Sequence, residues 1–191
     1  NSELSIICKK IIEPTIDELI KRNIEYKGVL YIGLMITKSG PKVIEYNCRF
    51  GDPECQTIMP LMDTNFVNIL YKCATGNLKG DEQLLSSSKV SGCVIASSKG
   101  YPEDYDVGFP ITFNYDESED VQIFHSGTSV NKKGKIISDG GRVLSIVCQG
   151  KDFDSAFNMA YKVLKGINFD GIYYRRDIGH QVRKSYSYED L

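Results

Sequence analysis

The hydrophobic pattern of the first half of the chain predicts helices around one β-hairpin. Apolar residues recur at helical spacing near the beginning, and Pro14 predicts a break there between two helical pieces. A nearly continuous apolar run and an alternating run then suit two antiparallel strands joined by a tight turn. The expected elements are helical pieces over Leu4–Asn23, strands over Gly28–Thr37 and Lys42–Arg49, and helices over Pro53–Met62 and Asp63–Thr75.

Capping residues and an apolar stripe define the last of these helices. It is expected to take Asp63 or Thr64 as its N-cap and to end at Gly76. Its stripe is expected to lie in the core, because helices bury the face on which apolar residues recur. The stripe consists of Phe66, Val67, Leu70 and Cys73.

The second half of the chain predicts a smaller α+β unit built mainly from short strands. A polar stretch over Gly76–Lys89 marks the expected boundary between the two units. The clear helix of this half should have Asp152 as its N-cap and end at Gly166. The expected strands are Val90–Ser98, Val121–Phe124, Lys135–Ser138 and Arg142–Cys148, and the residues expected to face inward from the helix are Phe153, Phe157, Tyr161 and Leu164. The polar residues His180–Leu191 are expected to form a linker.

Composition narrows the class of protein. With 41% hydrophobic and 25% charged residues in 191, the chain fits a globular protein. The formal charge of −2 and the lack of a long apolar run predict neither nucleic acid nor a membrane as a partner. The six cysteines form no CxxC pair and follow no secretory leader, which favours reduced thiols in the cytosol. Residue 1 is Asn rather than Met, as expected of an excised piece of a longer chain.

One strand of the predicted hairpin carries the main candidates for chemistry. Glu45, Asn47 and Arg49 occupy alternate positions, so on a strand they share one face. Mg²⁺ takes hard oxygen ligands, usually one or two from protein, while waters and substrate phosphates complete the shell. Glu45 and Asn47 could supply those oxygens, and Arg49 could hold an anion through paired N–H bonds. On its own, Glu-x-Asn on an exposed strand is more often merely solvated.

The turn after this strand adds further candidates. Gly51 lets the backbone approach a ligand closely, and Asp52 and Pro53 are expected as N-cap and first residue of the next helix. A helix N-terminus can bind phosphate or carboxylate, although a strand leading into a capped helix is also ordinary architecture.

A longer segment around these candidates resembles a known family. Residues 28–56, GVLYIGLMITKSGPKVIEYNCRFGDPECQ, are similar to the C-terminal part of the ATP-grasp domain of phosphoribosylamine–glycine ligases, also called glycinamide ribonucleotide synthetases. Glu-x-Asn-x-Arg also occurs in other ATP-grasp enzymes, including biotin carboxylases, whereas the continuation Phe50–Gln56 is much more specific. Three later motifs agree with it: ASSKGYP at Ala96–Pro102, FHSGT at Phe124–Thr128 and DGGRVL at Asp139–Leu144. The resemblance runs from about Ile6 to Gly179.

The resemblance implies an α+β fold in two parts. Residues 1–82 would be the C-terminal part of an ATP-grasp domain, an antiparallel sheet with helices. Residues 83–179 would be the family's small α+β C-terminal domain, and residues 180–191 a linker. The other wall of the ATP site would precede Asn1, so we expect the chain alone to be inactive and to bind Mg–ATP poorly. Fusion to later purine-pathway domains, known in many eukaryotic members, is permitted as well.

The resemblance also implies an ATP-dependent carbon–nitrogen ligase of purine biosynthesis. Glycine would be phosphorylated by ATP to glycyl phosphate, and 5-phosphoribosylamine would displace phosphate to give glycinamide ribonucleotide. Glu45 and Asn47 match the family's ligands for Mg²⁺ or Mn²⁺. Arg49 matches the arginine of the same string, expected as the catalytic residue that binds a substrate carboxylate or phosphate. Asp52 and Glu54 would order the loop or meet the cationic amine, with capping equally open for Asp52.

Weaker candidates for substrate binding lie in the second unit. Lys99 follows a strand and precedes a glycine, although a lone loop lysine is usually only solvated. Arg142 follows two glycines that allow close approach of a ligand or simply form a hairpin turn. His125 is expected to be structural. Two other functions stay open: another ATP-grasp carboxylase or ligase, and a domain kept for assembly without catalysis.

Overall fold

A computed structural model describes residues 2–80 and 84–183 and divides them between two units. Unit 1 contains residues 2–51 and 65–80, and unit 2 contains residues 52–64 and 84–183. Most of the linker expected over 180–191 lies outside the described residues. Within the described ranges, none of the helices is both long and apolar enough to cross a membrane.

The first predicted helical region is continuous. Helix α1 (Ser2–Ile7) and helix α2 (Glu13–Lys21) are joined by a π-helical segment, Cys8–Ile12. The second of the two expected helical pieces does begin beside Pro14, since this proline lies in the first turn of α2; the π segment joins the pieces without a loop. The wider π turn just before it accommodates a residue that cannot donate to the carbonyl four positions earlier.

The predicted hairpin is present and antiparallel. Its strands are β1 (Tyr31–Thr37) and β2 (Gly40–Asn47). The strand end expected at Arg49 is wrong, because β2 ends two residues earlier and Arg49 lies in the bend that follows.

A β-bulge interrupts the hairpin next to the candidate metal ligands. Gly33 pairs with Glu45, and the register then shifts so that Leu34 pairs with Val43. Ile44 is the extra residue of the bulge. Bulges of this kind re-aim side chains and are frequent beside functional sites.

The helix after the hairpin begins later than its sequence suggests. Helix α3 (Glu54–Ile58) continues into a 3₁₀ turn, Met59–Leu61. The N-cap expected at Asp52 is wrong: Pro53 holds that position and is joined to Asp52 by a cis peptide bond. The Asp52 carboxylate makes no cap hydrogen bond and instead contacts the side chains of Gln56 in α3 and of Arg142.

Helix α4 (Phe66–Ala74) also differs from expectation at its start. Asn65 is its N-cap, and the Asn65 side chain accepts a hydrogen bond from the Asn68 amide over 3.1 Å. The cap expected at Asp63 or Thr64 is therefore wrong. The Thr64 hydroxyl instead accepts a bond of 2.7 Å from a backbone amide within unit 2.

The apolar stripe of α4 is not buried within unit 1. Val67 is 76% exposed and Leu70 38% exposed, against the expectation that both lie in the core. Phe66 does pack against Phe50, with ring centroids 5.7 Å apart. Among the described residues of unit 1, Ile11 is the one buried hydrophobic side chain.

Unit 2 is built on a four-stranded antiparallel sheet. Its strands are β3 (Val90–Ser98), β4 (Thr112–Phe113), β5 (Val121–His125), β6 (Thr128–Val130), β7 (Ile136–Ser138), β8 (Arg142–Gly150), β9 (Ile167–Asn168) and β10 (Ile172–Tyr173). The sheet runs in the order β10–β3–β8–β5, and β4–β9 and β6–β7 form separate pairs. The four strands predicted for this half are confirmed. The others, at two or three residues, are too short to carry an alternating pattern.

Helix α5 (Phe153–Lys165) covers this sheet and completes the core of unit 2. Its predicted cap is confirmed, since the Ser155 amide donates to the Asp152 carboxylate over 2.8 Å. Phe153 is 37% exposed and does not face inward as expected. The central buried side chains are Val94, Val143, Leu144, Ile146, Phe157, Val163 and Leu164.

Candidate functional site

The two predicted metal ligands lie side by side on β2. The Asn47 amide Nδ2 donates a hydrogen bond to Glu45 Oε1 over 2.9 Å. Glu45 is exposed and Asn47 is half-buried. Gly33 lies opposite Glu45 on β1, and a Cβ there would come within 2.9 Å of Glu45 Cγ. The glycine therefore makes room for the carboxylate.

This pair offers the oxygen ligands that a hard divalent cation prefers. With the Asn47 nitrogen turned toward Glu45, the amide oxygen and the second carboxylate oxygen remain as donors. Over residues 2–80 and 84–183, no group of three or more His, Cys, Asp or Glu side chains could hold a metal ion. Two protein oxygens suit Mg²⁺, which takes its remaining ligands from water and phosphates. The arrangement fits a cation that arrives bound to a phosphate-bearing ligand.

Arg49 lies just beyond the strand that carries this pair. Its Nη1 donates to the carbonyl of Phe50 over 2.8 Å, and the residue is exposed. Within the described part of the chain Arg49 forms no ion pair with a carboxylate. Its guanidinium can therefore pair with the carboxylate or phosphate of a ligand.

Asp52 and Arg142, both in unit 2, are brought together from distant parts of the sequence. Arg142 Nη1 lies 3.2 Å from the Asp52 carbonyl oxygen and 3.4 Å from Asp52 Oδ2. The other carboxylate oxygen of Asp52 accepts a bond of 2.8 Å from Gln56 Nε2. Asp52 thus orders the start of the turn leading into α3, and Arg142 is held at its side.

Gln56 was not among the predicted site residues. Its amide nitrogen contacts Asp52, and its Oε1 is buried with no hydrogen-bond partner. The four-residue spacing from Asp52 to Gln56 is the signal that could have indicated the contact, because it brings side chains together at a helix start.

The three later family motifs meet at one end of the unit 2 sheet. Ser98 Oγ donates to the Gly140 carbonyl over 2.9 Å, which links the first motif to the third. A Cβ on Gly141 would lie 2.0 Å from the Tyr101 ring, so only glycine permits this packing. A Cβ on Gly127, from the second motif, would lie 2.7 Å from Gly140 Cα. These contacts fix the loop that leads into Arg142, the first residue of β8.

The remaining candidates occupy separate positions. Lys99 is exposed, and its side chain lines a cavity of about 210 Å³ with Asp106 and Asp170. Gly51 is buried, and Glu54 is the half-buried first residue of α3. His125 was expected to be structural, and its hydrogen bond agrees with that role. Its Nδ1 lies 3.0 Å from the hydroxyl of Thr128.

The cysteines of unit 2 are poor nucleophiles. Burial raises the pKa of Cys93 and of Cys148 to about 12. Burial, followed by the nearby Asp52 carboxylate, also raises the pKa of Cys55. A thiolate is the reactive form, so these side chains stay protonated and inert at neutral pH.

Comparison with known proteins shows to which class of protein the chain belongs. Residues 1–55 match the model described as phosphoribosylglycinamide synthetase, ATP-grasp (A) domain. The fold resembles that of the biotin carboxylase domain of the Hydrogenobacter thermophilus 2-oxoglutarate carboxylase. That likeness has a TM-score of 0.56 at 13% identity, over 84% of this chain and 36% of the other, and concerns the fold alone. The chain is an ATP-grasp protein of α+β class, as predicted.

The second half of the chain identifies the particular family. Residues 91–181 match the model described as phosphoribosylglycinamide synthetase, C domain. The chain therefore belongs to the phosphoribosylglycinamide synthetase family, which confirms the resemblance found in the sequence. A crystal structure of the phosphoribosylamine–glycine ligase of Thermotoga maritima matches with a TM-score of 0.82 at 31% identity, over 94% of this chain and 44% of that one.

Curated relatives agree with this family assignment, and they are longer than this chain. The phosphoribosylamine–glycine ligase of Synechocystis is 46% identical over 178 residues, which are 92% of this chain and 42% of the relative. That of Caldanaerobacter subterraneus is 48% identical over 175 residues, 92% of this chain and 41% of the relative. The trifunctional purine biosynthetic protein adenosine-3 of Homo sapiens is 38% identical over 183 residues, 95% and 18% of the two chains. The chain thus spans less than half the length of these relatives.

Proposed function

We propose that the chain is part of an ATP-dependent ligase that joins glycine to 5-phosphoribosylamine in purine biosynthesis. The products are glycinamide ribonucleotide, ADP and phosphate. The observation that carries the proposal is family membership along most of the chain, including the segment with the Glu45–Asn47 pair. Because the relatives are more than twice as long, the activity belongs to the longer protein, and the 191-residue chain alone is expected to be inactive.

Glu45 and Asn47 are the proposed ligands of a divalent cation, Mg²⁺ or Mn²⁺, that is bound to ATP. When bound, the cation supplies neutralisation of phosphate charge during phosphoryl transfer. The hard-oxygen donors and the space left by Gly33 support this assignment. Phosphoryl transfer to a carboxylate needs no protein nucleophile, which agrees with the inert thiols of unit 2.

Arg49 is the proposed catalytic residue, holding the glycine carboxylate or a phosphate through parallel N–H bonds. Its exposure and its lack of a carboxylate partner among the described residues support this role. Further substrate contacts, proposed with less support, are Gly51, Asp52, Glu54, Lys99 and Arg142. The hydrogen bonds of Asp52 favour a role in ordering its loop.

Three statements about the whole protein belong to the same proposal. Residues 1–82 are assigned to the ATP-grasp domain, 83–179 to the C-terminal domain and 180–191 to a linker. The two matched stretches, 1–55 and 91–181, support this division. The multifunctional relative supports fusion to other purine-pathway domains. A cytosolic location is proposed with them.

Substrate-dependent ADP release by the longer protein tests the proposal. Release should require both glycine and 5-phosphoribosylamine and should not respond to bicarbonate. Release driven by bicarbonate would instead assign an ATP-grasp carboxylase, and no release with any substrate would favour an assembly domain without catalysis. Glu45→Gln keeps the shape of the side chain and removes its charge, so this variant should lose metal-dependent activity.

A further inference from the structure

The unit 2 sheet is covered on its two faces by different helices. Cys148 lies on the face covered by α5, among the buried apolar side chains of the core. Cys93 pairs with Val147, and the alternation along β3 and β8 puts both on the opposite face. Helix α3 contacts these two strands. Burial raises the pKa of Cys93 to about 12, against the effect of a hydrogen bond with Thr57 of α3, so α3 lies over this thiol.

The layer between α3 and the sheet contains polar atoms without partners. Ser145 is fully buried and Ser91 is 8% exposed, and both lie two residues from a member of the Cys93 face. Within the described residues neither hydroxyl oxygen has a hydrogen-bond partner, and the same holds for Oε1 of Gln56 in α3. A buried polar atom without a partner loses its hydration and gains no bond in return. Close packing of α3 on this face therefore opposes itself.

The segment that covers this face is itself poorly buried. No side chain of residues 53–64, all of which the structure describes, is fully buried. Helix α5, on the other face, buries five of its residues. Local opening needs the least free energy where few apolar side chains are buried, so residues 52–64 are the layer of unit 2 that can leave the sheet most easily.

Backbone hydrogen bonds hold the C-terminal end of this segment. The Asp63 amide donates to the Leu85 carbonyl over 3.0 Å, and the Ser87 amide donates to the Leu61 carbonyl over 2.7 Å. These bonds join two stretches of main chain in the manner of a strand pair. That end is therefore suited to serve as a hinge.

Side-chain contacts in water tie down the N-terminal end. Arg142 Nη1 lies 3.2 Å from the Asp52 carbonyl oxygen and 3.4 Å from its carboxylate. The two side chains are 43% and 54% exposed. Exposed ion pairs are weak and are screened by salt. An anion in solution can therefore compete with Asp52 for this guanidinium.

We propose that residues 52–64 form a flap that turns about its C-terminal end, and that an anion binding to Arg142 opens the flap by displacing Asp52. Opening lets water reach the hydroxyls of Ser91 and Ser145 and uncovers Cys93, whereas Cys148 stays beneath α5. A phosphate or carboxylate pairs with a guanidinium through two parallel bonds, which offsets the loss of Asp52. The anion step rests on the proposed function, in which Arg142 is a substrate contact. Opening is measured without ligase activity, so the two can fail separately.

Thiol labelling of the 191-residue chain tests the flap. The chain is exposed to iodoacetamide for hours, and labelling of Cys93 and Cys148 is followed by peptide mass spectrometry. In Arg142→Ala, Cys93 should label about five-fold faster than in the parent, because loss of one exposed ion pair changes an equilibrium by up to about that factor. Cys148 should label equally slowly in both. Equal Cys93 rates in the parent and the variant would overturn the proposal.

Two further variants separate the flap from general loosening. Lys162→Ala removes an ion pair of 3.0 Å between α5 and Asp116, and it should change the labelling of neither buried thiol. Asp52→Asn weakens the Arg142 contact from its other side and should match Arg142→Ala. The double variant should label Cys93 no faster than either single variant, because both remove the same interaction. Additive effects, or equal acceleration of Cys148, would contradict the proposal.

Inorganic phosphate is the probe for the anion step. In the parent, labelling of Cys93 should rise as phosphate increases to about 0.1 M, because phosphate both pairs with Arg142 and screens its contact with Asp52. In Arg142→Ala, labelling should already be fast and should not respond to phosphate. No response in the parent, or an equal response in the variant, would overturn opening by an anion at Arg142.

Discussion

The Asn47 amide donates a hydrogen bond of 2.9 Å to the Glu45 carboxylate, two residues earlier on the same strand. An amide that donates through its nitrogen presents its oxygen on the other side, so the bond fixes which atom the proposed cation would meet. Both residues are at least partly exposed on β2, and β2 is held in the hairpin by its pairing with β1. Their removal should therefore affect cation binding far more than folding.

Replacing Glu45 should distinguish a metal ligand from another acidic residue nearby in the sequence. In the longer protein, Glu45→Ala should lower turnover about 100-fold, because it removes a proposed ligand of the cation that would neutralise charge on the transferring phosphate. Glu54→Ala, at the first residue of α3, should have a much smaller effect. Steady-state ADP release over a magnesium titration measures both variants, with a chelator abolishing the activity of each. Equal, negligible effects of the two substitutions would remove the metal assignment.

Gly33 should prove sensitive to a single methyl group. Gly33→Ala places a Cβ within 2.9 Å of Glu45 Cγ, so the carboxylate must shift from the position it shares with Asn47. We expect a weaker apparent affinity for magnesium in the longer protein and little change in melting temperature. Gly80→Ala is the matched control, since nothing lies within 4 Å of a Cβ at Gly80. An unchanged magnesium dependence in Gly33→Ala would show that the glycine is not needed for the site.

The cap of α5 should make stability depend on pH in a defined direction. Hydrogen bonds from the Ser155 side chain and backbone lower the pKa of Asp152. A carboxyl whose pKa is lower in the folded state contributes stability above its unfolded pKa of about 3.9, and this contribution is lost as the pH falls through the folded pKa. The gap in urea midpoint between the parent chain and Asp152→Ala should therefore be wide at neutral pH and shrink in acid.

Asp152→Asn is the control for this effect. Asparagine caps helices about as well as aspartate but carries no charge. Its advantage over Asp152→Ala should stay constant across the same pH range. A gap for Asp152→Ala that does not change with pH would argue against a lowered pKa at this cap.

The thiols should differ sharply in reactivity. Because burial raises their pKa to about 12, Cys93 and Cys148 remain protonated thiols at pH 8.5. Cys48 is exposed and accessible to reagent. Iodoacetamide followed by peptide mass spectrometry should label Cys48 in the native chain, and Cys93 and Cys148 only after unfolding in guanidinium. Native labelling of all three at similar rates would contradict the burial described for unit 2.

Local pattern predicted the elements of unit 2 better than those of unit 1. Strand β3 and helix α5 agree with prediction to the residue or nearly so, and for α5 an Asp cap and a final glycine favour the same bounds. In unit 1, Val67 and Leu70 of the α4 stripe are apolar yet exposed, since no described element of that unit covers them. Sequence periodicity shows which face seeks burial and not what covers it.

In the candidate site, too, the features set by local pattern were predictable and those set by long-range contacts were not. The shared face of Glu45 and Asn47 follows from the two-residue period of a strand and was predictable. The role of Asp52 was not, because an aspartate before a proline locally favours capping, whereas its contact with Arg142 spans 90 residues. The meeting of three glycine-bearing motifs likewise depends on sheet topology that no short-range signal encodes.

Residues 52–64 belong to unit 2, although they lie between two segments of unit 1. They are tied to a later stretch by backbone bonds of 3.0 Å from the Asp63 amide to Leu85 and 2.7 Å from the Ser87 amide to Leu61. A single break in the polypeptide therefore cannot release both units intact. Truncation libraries, split-protein reporters and proteolytic dissection of this protein would each sever one unit wherever they try to free the other.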